Sequence, residues 1–159
     1  MAIIVEDGTV VTGANSYTST AGLTTFATAR GVTLVTDAEQ LLIEAMDFLE
    51  NLGFKGMKSL ITQPLQWPRL NVCIDGYYVN SNSIPQQLID GLCHIAIAID
   101  QDTDFMQDAV RTTTMEKVGD LEIQYSPGSA AAPYNKKIMH VLAKVLDNGS
   151  NGGIRVSKA

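Results

Sequence analysis

Cysteine, histidine and aromatic residues are all scarce in this sequence. Its 159 residues contain two cysteines, Cys73 and Cys93, and two histidines, His94 and His140. The cysteines form no Cys-x-x-Cys pair, and the histidines stand at no finger-like spacing, so no metal is expected. Two unpatterned cysteines fit a reducing compartment as free thiols, with Cys93 set in an apolar run as a core residue.

Basic charge is also short. Eleven Lys and Arg stand against 17 Asp and Glu, a net charge of -6. Neutralising phosphates takes clustered Lys and Arg, which argues against a generally basic nucleic-acid binder. The longest apolar stretch, Leu92 to Ile99, is broken by His94 and is far short of the roughly 20 residues that span a bilayer. No membrane segment and no signal peptide is expected. Gly-x-Ser-x-Gly, His-Glu-x-x-His, P-loop and Gly-x-Gly-x-x-Gly patterns are missing, so neither an enzyme nor a cofactor is expected. Asp100, Asp102 and Asp104 open like a calcium loop. Phe105 then stands where the sharp turn needs glycine, and Arg111 where the last ligand would be glutamate. At 45% hydrophobic and 18% charged, the chain has the composition of one folded domain and not of a disordered one.

What is present reads as mainly α. Two β-branched runs around Asp7-Gly8 predict a short N-terminal hairpin over 2–13. Ser19 is a good N-cap for a helix over about 20–30, stopped by Gly31. Thr36 to Glu39 has the form of a capping box. Leu41, Leu42, Ala45, Met46 and Leu49 then recur at helical spacing, and Gly53 ends the run. Residues 54–83 read as irregular. A third helix over about 85–100 is apolar nearly all round, which predicts burial in the fold or against a second subunit. Strand alternation over 112–126, around Val118-Gly119-Asp120-Leu121, predicts a β-hairpin. A last helix is predicted over about 134–147. The expected architecture is a small four-helix bundle, with the short N-terminal hairpin and a β-hairpin or extended loop between the last two helices. A single domain spans 1–149, and a flexible tail spans 150–159.

Two features bear on function. Trp67, the one tryptophan, lies between Pro64 and Pro68, next to Arg69. Trp67, Pro68 and Arg69 read as a structural anchor; the competing reading is a stacking platform for single-stranded nucleic acid, with Lys55, Lys58 and Arg69 nearby. Charge is uneven as well. Residues 1–129 carry 6 basic and 16 acidic side chains, and residues 130–159 carry 5 basic (Lys136, Lys137, Lys144, Arg155, Lys158) against Asp147 alone. The C-terminal part therefore has the charge to meet an acidic partner, unless its lysines are a solvated helix face.

The order of several short elements is similar to that of one tailed-phage family. These are Ala14-Asn15-Ser16-Tyr17, Phe54-Lys55-Gly56, Leu65-Gln66-Trp67-Pro68-Arg69, Ile84-Pro85, and Glu116-Lys117-Val118-Gly119-Asp120-Leu121 with Tyr125. The likeness covers roughly 14–146. One departure is Gly22, where the family tends to carry a stronger helix former. The family's members are small head–tail connector (adaptor, head-completion) proteins that often bear the label "DnaT-like ssDNA-binding protein".

The resemblance implies a structural virion protein at the head–tail interface, assembled in the host bacterial cytoplasm. It implies a homo-oligomeric ring, typically dodecameric, below the portal protein. Such a ring extends the channel for double-stranded DNA, which passes without sequence-specific binding, and docks the next tail or stopper protein. Val118, Gly119, Asp120, Leu121, Ile123 and Tyr125 of the hairpin are candidates for subunit or partner contacts, as are Lys136, Lys137, Lys144, Arg155 and Lys158. The alternative is the literal label, a single-stranded DNA-binding module.

Overall fold

The computed structural model describes residues 2–101, 115–118, 121–124 and 136–147. In chain order the elements are α1 (Thr20–Thr28), α2 (Ala38–Glu50), β1 (Met57–Lys58), β2 (Arg69–Leu70), β3 (Cys73–Ile74), β4 (Tyr77–Tyr78), α3 (Gln86–Asp100), β5 (Met115–Val118), β6 (Leu121–Gln124) and α4 (Lys136–Leu142). The strands pair antiparallel as β1–β2, β3–β4 and β5–β6.

The helices follow their apolar patterns. Ser19 caps α1 by accepting the Gly22 amide, and Gly31 follows the helix at a φ of +70°. Leu41, Leu42, Ala45, Met46 and Leu49 form the buried stripe of α2. α3 packs against α1, α2 and α4, and buries Leu88, Leu92, Cys93 and every residue from Ile95 to Ala98. Its wide apolar circumference is thus covered largely within the chain. Each such leucine or isoleucine contributes about 1.5–3 kcal/mol on burial. Gly91 lets α4 approach closely, because a Cβ there would collide with the Leu142 side chain.

The architecture is mixed, and the expectation of a four-helix bundle is corrected. α1 and α4 are only 9 and 7 residues long. Between α2 and α3 the chain read as irregular forms two hairpins instead. Their strands are two residues each, too short to leave an alternation pattern in sequence. Met57 pairs with Leu70, and Cys73 with Tyr78. Gly56, at a φ of +72°, passes so close to the Leu70 carbonyl that no side chain would fit.

The N-terminal hairpin does not form either. Residues 4–16 hold one isolated parallel bridge, Val5 to Ser16. The cause is Glu6, whose buried carboxylate accepts the amides of Gly8, Val10 and Val11 at 2.8–2.9 Å. Those bonds replace a strand ladder and hold Val10 at a φ of +61°, rare for a β-branched residue. The N-cap of α2 is Asp37 and not Thr36, and its side chain makes no capping bond. Asp100, at the end of α3, accepts the amides of Val35 and Thr36, just ahead of α2, at 2.8–3.2 Å. The last helix stops at Leu142; the predicted residues 134 and 135 lie outside the described residues.

Candidate nucleic-acid interface

The Trp67-Pro68-Arg69 element is turned inward. Trp67 is fully buried, with Phe54 edge-on at 6.3 Å between ring centroids, and the Trp67–Pro68 peptide is cis. Its indole Nε1–H meets no acceptor among the described residues. Arg69 is 8% exposed, and its guanidinium donates to the carbonyls of Lys55 (2.7 Å), Gly56 (2.9 Å), Gln66 (3.2 Å) and Phe54 (3.4 Å). Burial draws its pKa down, against the pull of Tyr17 and Glu50. Tyr17 and Glu50 close the same knot: Glu50 accepts the Gln66 amide, and the Tyr17 hydroxyl accepts that of Trp67. Burial pushes both the Tyr17 phenol and the Glu50 carboxyl above their ordinary values. This element therefore ties the loop after α2 to α2 itself. It presents no open indole face for a base and no free guanidinium edge.

The other candidates are scattered. Val118 pairs with Leu121 at the end of the β5–β6 hairpin, and Ile123 lies opposite Glu116. Gly119, Asp120, Tyr125, Arg155 and Lys158 lie outside the described residues. Lys136 and Lys137 are exposed on the first turn of α4. Lys144 is bent back onto the β3–β4 turn, with its Nζ 2.6 Å from an Asp75 carboxylate oxygen.

A cluster that the sequence did not single out lies across α1, α3 and α4. The Arg30 guanidinium stacks on the Phe26 ring, 3.3 Å from its centroid, and donates to the Phe26 carbonyl at 3.2 Å. The Phe26 ring meets His94 of α3 in a T-shaped contact, with centroids 5.0 Å apart. The His94 pKa is lowered, first by burial, then by repulsion from Lys137 of α4 and from Arg30; Asp90 pulls it the other way. The i, i+4 spacing of Phe26 and Arg30 was visible in sequence. Their meeting with His94 and Lys137 was not, because it joins three separate helices.

Apolar side chains gather elsewhere on the surface. On the two short hairpins and the turn between β1 and β2, Met57, Leu60, Ile61, Tyr77 and Tyr78 are exposed, Ile61 at 97% and the tyrosines at 79% and 81%. Cys73 is an exposed thiol, whereas Cys93 is buried and its thiol pushed up to about 12, mainly by burial. Among the described residues, no three His, Cys, Asp or Glu side chains gather to hold a metal ion, and no helix is long and apolar enough to cross a membrane.

The chain is thus a small mixed α/β module with a buried Trp-Pro-Arg knot and a compact cationic cluster on its helical side. The family model described as "Putative DnaT-like ssDNA binding protein" matches residues 1–159, and the chain belongs to that family. No curated protein and no solved structure matches it.

Proposed function

We propose that this chain is a single-stranded DNA-binding module. The observation that carries the reading is the family match, which spans the whole chain and whose description names that activity. A patch of cationic side chains on an otherwise acidic protein supports it, because affinity for nucleic acid depends on local phosphate neutralisation and not on net charge. Trp67 takes no part in contact with bases, since its ring is fully buried. The test is a binding titration with a labelled oligonucleotide at several salt concentrations. Binding that weakens steeply with salt supports the reading, and no binding at low salt sinks it.

A second reading is a structural head–tail connector. It makes the chain a subunit of a ring that docks on a phage portal and receives the next tail component. The order of the short sequence elements supports it, and so does the exposed apolar group Met57, Leu60, Ile61, Tyr77 and Tyr78, a surface suited to protein contact. Size-exclusion chromatography with light scattering, alone and with a portal protein, separates the two. A ring or a portal complex that ignores oligonucleotides favours the connector.

A further inference from the structure

We propose that Arg30 and His94, set around the Phe26 ring, together with Lys137 on the α4 side of His94, form a binding site for the phosphodiester backbone of single-stranded DNA. The inference deepens the DNA-binding reading and rests on it.

Three observations carry it. The first is preorganisation. Stacking on Phe26 and the bond to its carbonyl fix the Arg30 guanidinium, while the side chain remains exposed. Its other N–H groups meet no acceptor among the described residues. A held guanidinium offers its edge to phosphate oxygens with little ordering left to do. The second is convergence. Cationic or protonatable groups arrive from the turn after α1, from α3 and from α4, and these three helices pack in one fold. Among the described residues, the charged groups acting on His94 are Lys137 of α4, Arg30 in the turn after α1, and Asp90 of its own helix. Asp90 is partly engaged, accepting from the Gln86 side-chain amide at 2.8 Å. Among the described residues, two positive groups and one negative group act on His94, in a chain whose net charge is -6. The third is the use of the aromatic. Arg30 covers one Phe26 face and His94 meets the ring in a T-shaped contact, so the ring is not free to sandwich a base. The site reads phosphate and sugar, not base edges, and its binding is tolerant of sequence.

Proton linkage follows. A phosphate beside His94 offsets the repulsion from Arg30 and Lys137 and favours the imidazolium. Binding therefore takes up a proton, and affinity rises as pH falls.

The test is fluorescence anisotropy of a labelled oligothymidylate on the full chain, titrated against salt and pH. Arg30→Gln is expected to weaken binding several-fold and to flatten the plot of log K against log salt by about 0.7. Lys137→Gln is expected to do the same. His94→Gln is expected to abolish the gain in affinity between about pH 7.5 and 5.5. Thermal melts confirm that each variant is folded, and two exposed positions on separate segments, the turn after α1 and α4, guard against loss of one. Wild-type binding that all three variants leave unchanged overturns the site while leaving the DNA-binding reading standing. No wild-type binding overturns both. Equal binding of polyglutamate, removed by the same variants, overturns the assignment to DNA in favour of an acidic protein partner.

Discussion

The Tyr17 hydroxyl donates to the Glu50 carboxylate at 2.5 Å, joining the segment before α1 to the last turn of α2. The same oxygen accepts the Trp67 amide at 3.1 Å. One phenol oxygen thus serves both a carboxylate and a buried backbone N–H. Tyr17→Phe keeps the ring and removes the partner of both. An unsatisfied buried donor costs about 1–3 kcal/mol, so the variant is expected to lose stability in that range. A lower urea midpoint at unchanged slope would register it. A midpoint equal to wild type would show that the hydroxyl adds nothing.

Arg69 serves four backbone carbonyls from one planar group. Lysine carries the same charge but cannot fork its donors. Arg69→Lys is therefore expected to cost about 1–3 kcal/mol, through buried carbonyls left without a donor. Denaturant melts of the purified variant check this, and stability within about 0.5 kcal/mol of wild type would contradict it.

His94 makes stability depend on pH. Burial lowers its folded pKa below the ordinary 6.5, with Lys137 and Arg30 adding to the shift. Between the two values the unfolded chain binds more protons than the folded one, so stability rises with pH through that window. The contribution of His94 is complete above 6.5 and is lost as pH falls through the folded value. His94→Gln is expected to flatten this part of the profile, as read by melting temperature against pH. A parallel profile in the two proteins would rule it out.

The Lys144–Asp75 pair tests the opposite limit. Both side chains are at least half exposed, and such pairs are worth about 0–1 kcal/mol. Asp75→Asn should barely move the melting temperature, and less still in high salt. A loss well above 1 kcal/mol would mean that the β3–β4 turn depends on this contact.

The helical half of the fold was legible because its signals are local and repeated. The Ser19 cap, the α2 stripe and the apolar α3 all lie within a turn or two of themselves. The rest depended on single side chains acting at a distance. Glu6 gathers three amides and cancels a hairpin that Asp7-Gly8 advertised. Asp100, 64 positions beyond Thr36, holds the amides of Val35 and Thr36 just ahead of α2, whose N-cap falls at Asp37 instead of Thr36. Arg69, which beside a tryptophan reads as surface charge, spends its donors on four carbonyls. Two-residue strands such as β1 and β2 have no period to detect. The cationic cluster was half visible, as Phe26 and Arg30 one helical turn apart. Its other half is supplied by residues about 65 and 105 positions further along the chain, a distance over which no spacing rule operates.

The segment just after α4 closes over the loop after α2. Lys55 donates its amide to Val145, Asp147 donates to Gly53, and Phe54 bridges Leu146. For a chain made from its N-terminus, these contacts become possible only after α4 has been made. Until α4 has left the ribosome, the groove that Leu142 fills beside Gly91 stands open, and so does the apolar side of α3 around it. Between the emergence of α3 and that of α4, the nascent polypeptide therefore carries sticky surface. That surface is covered when one short helix arrives.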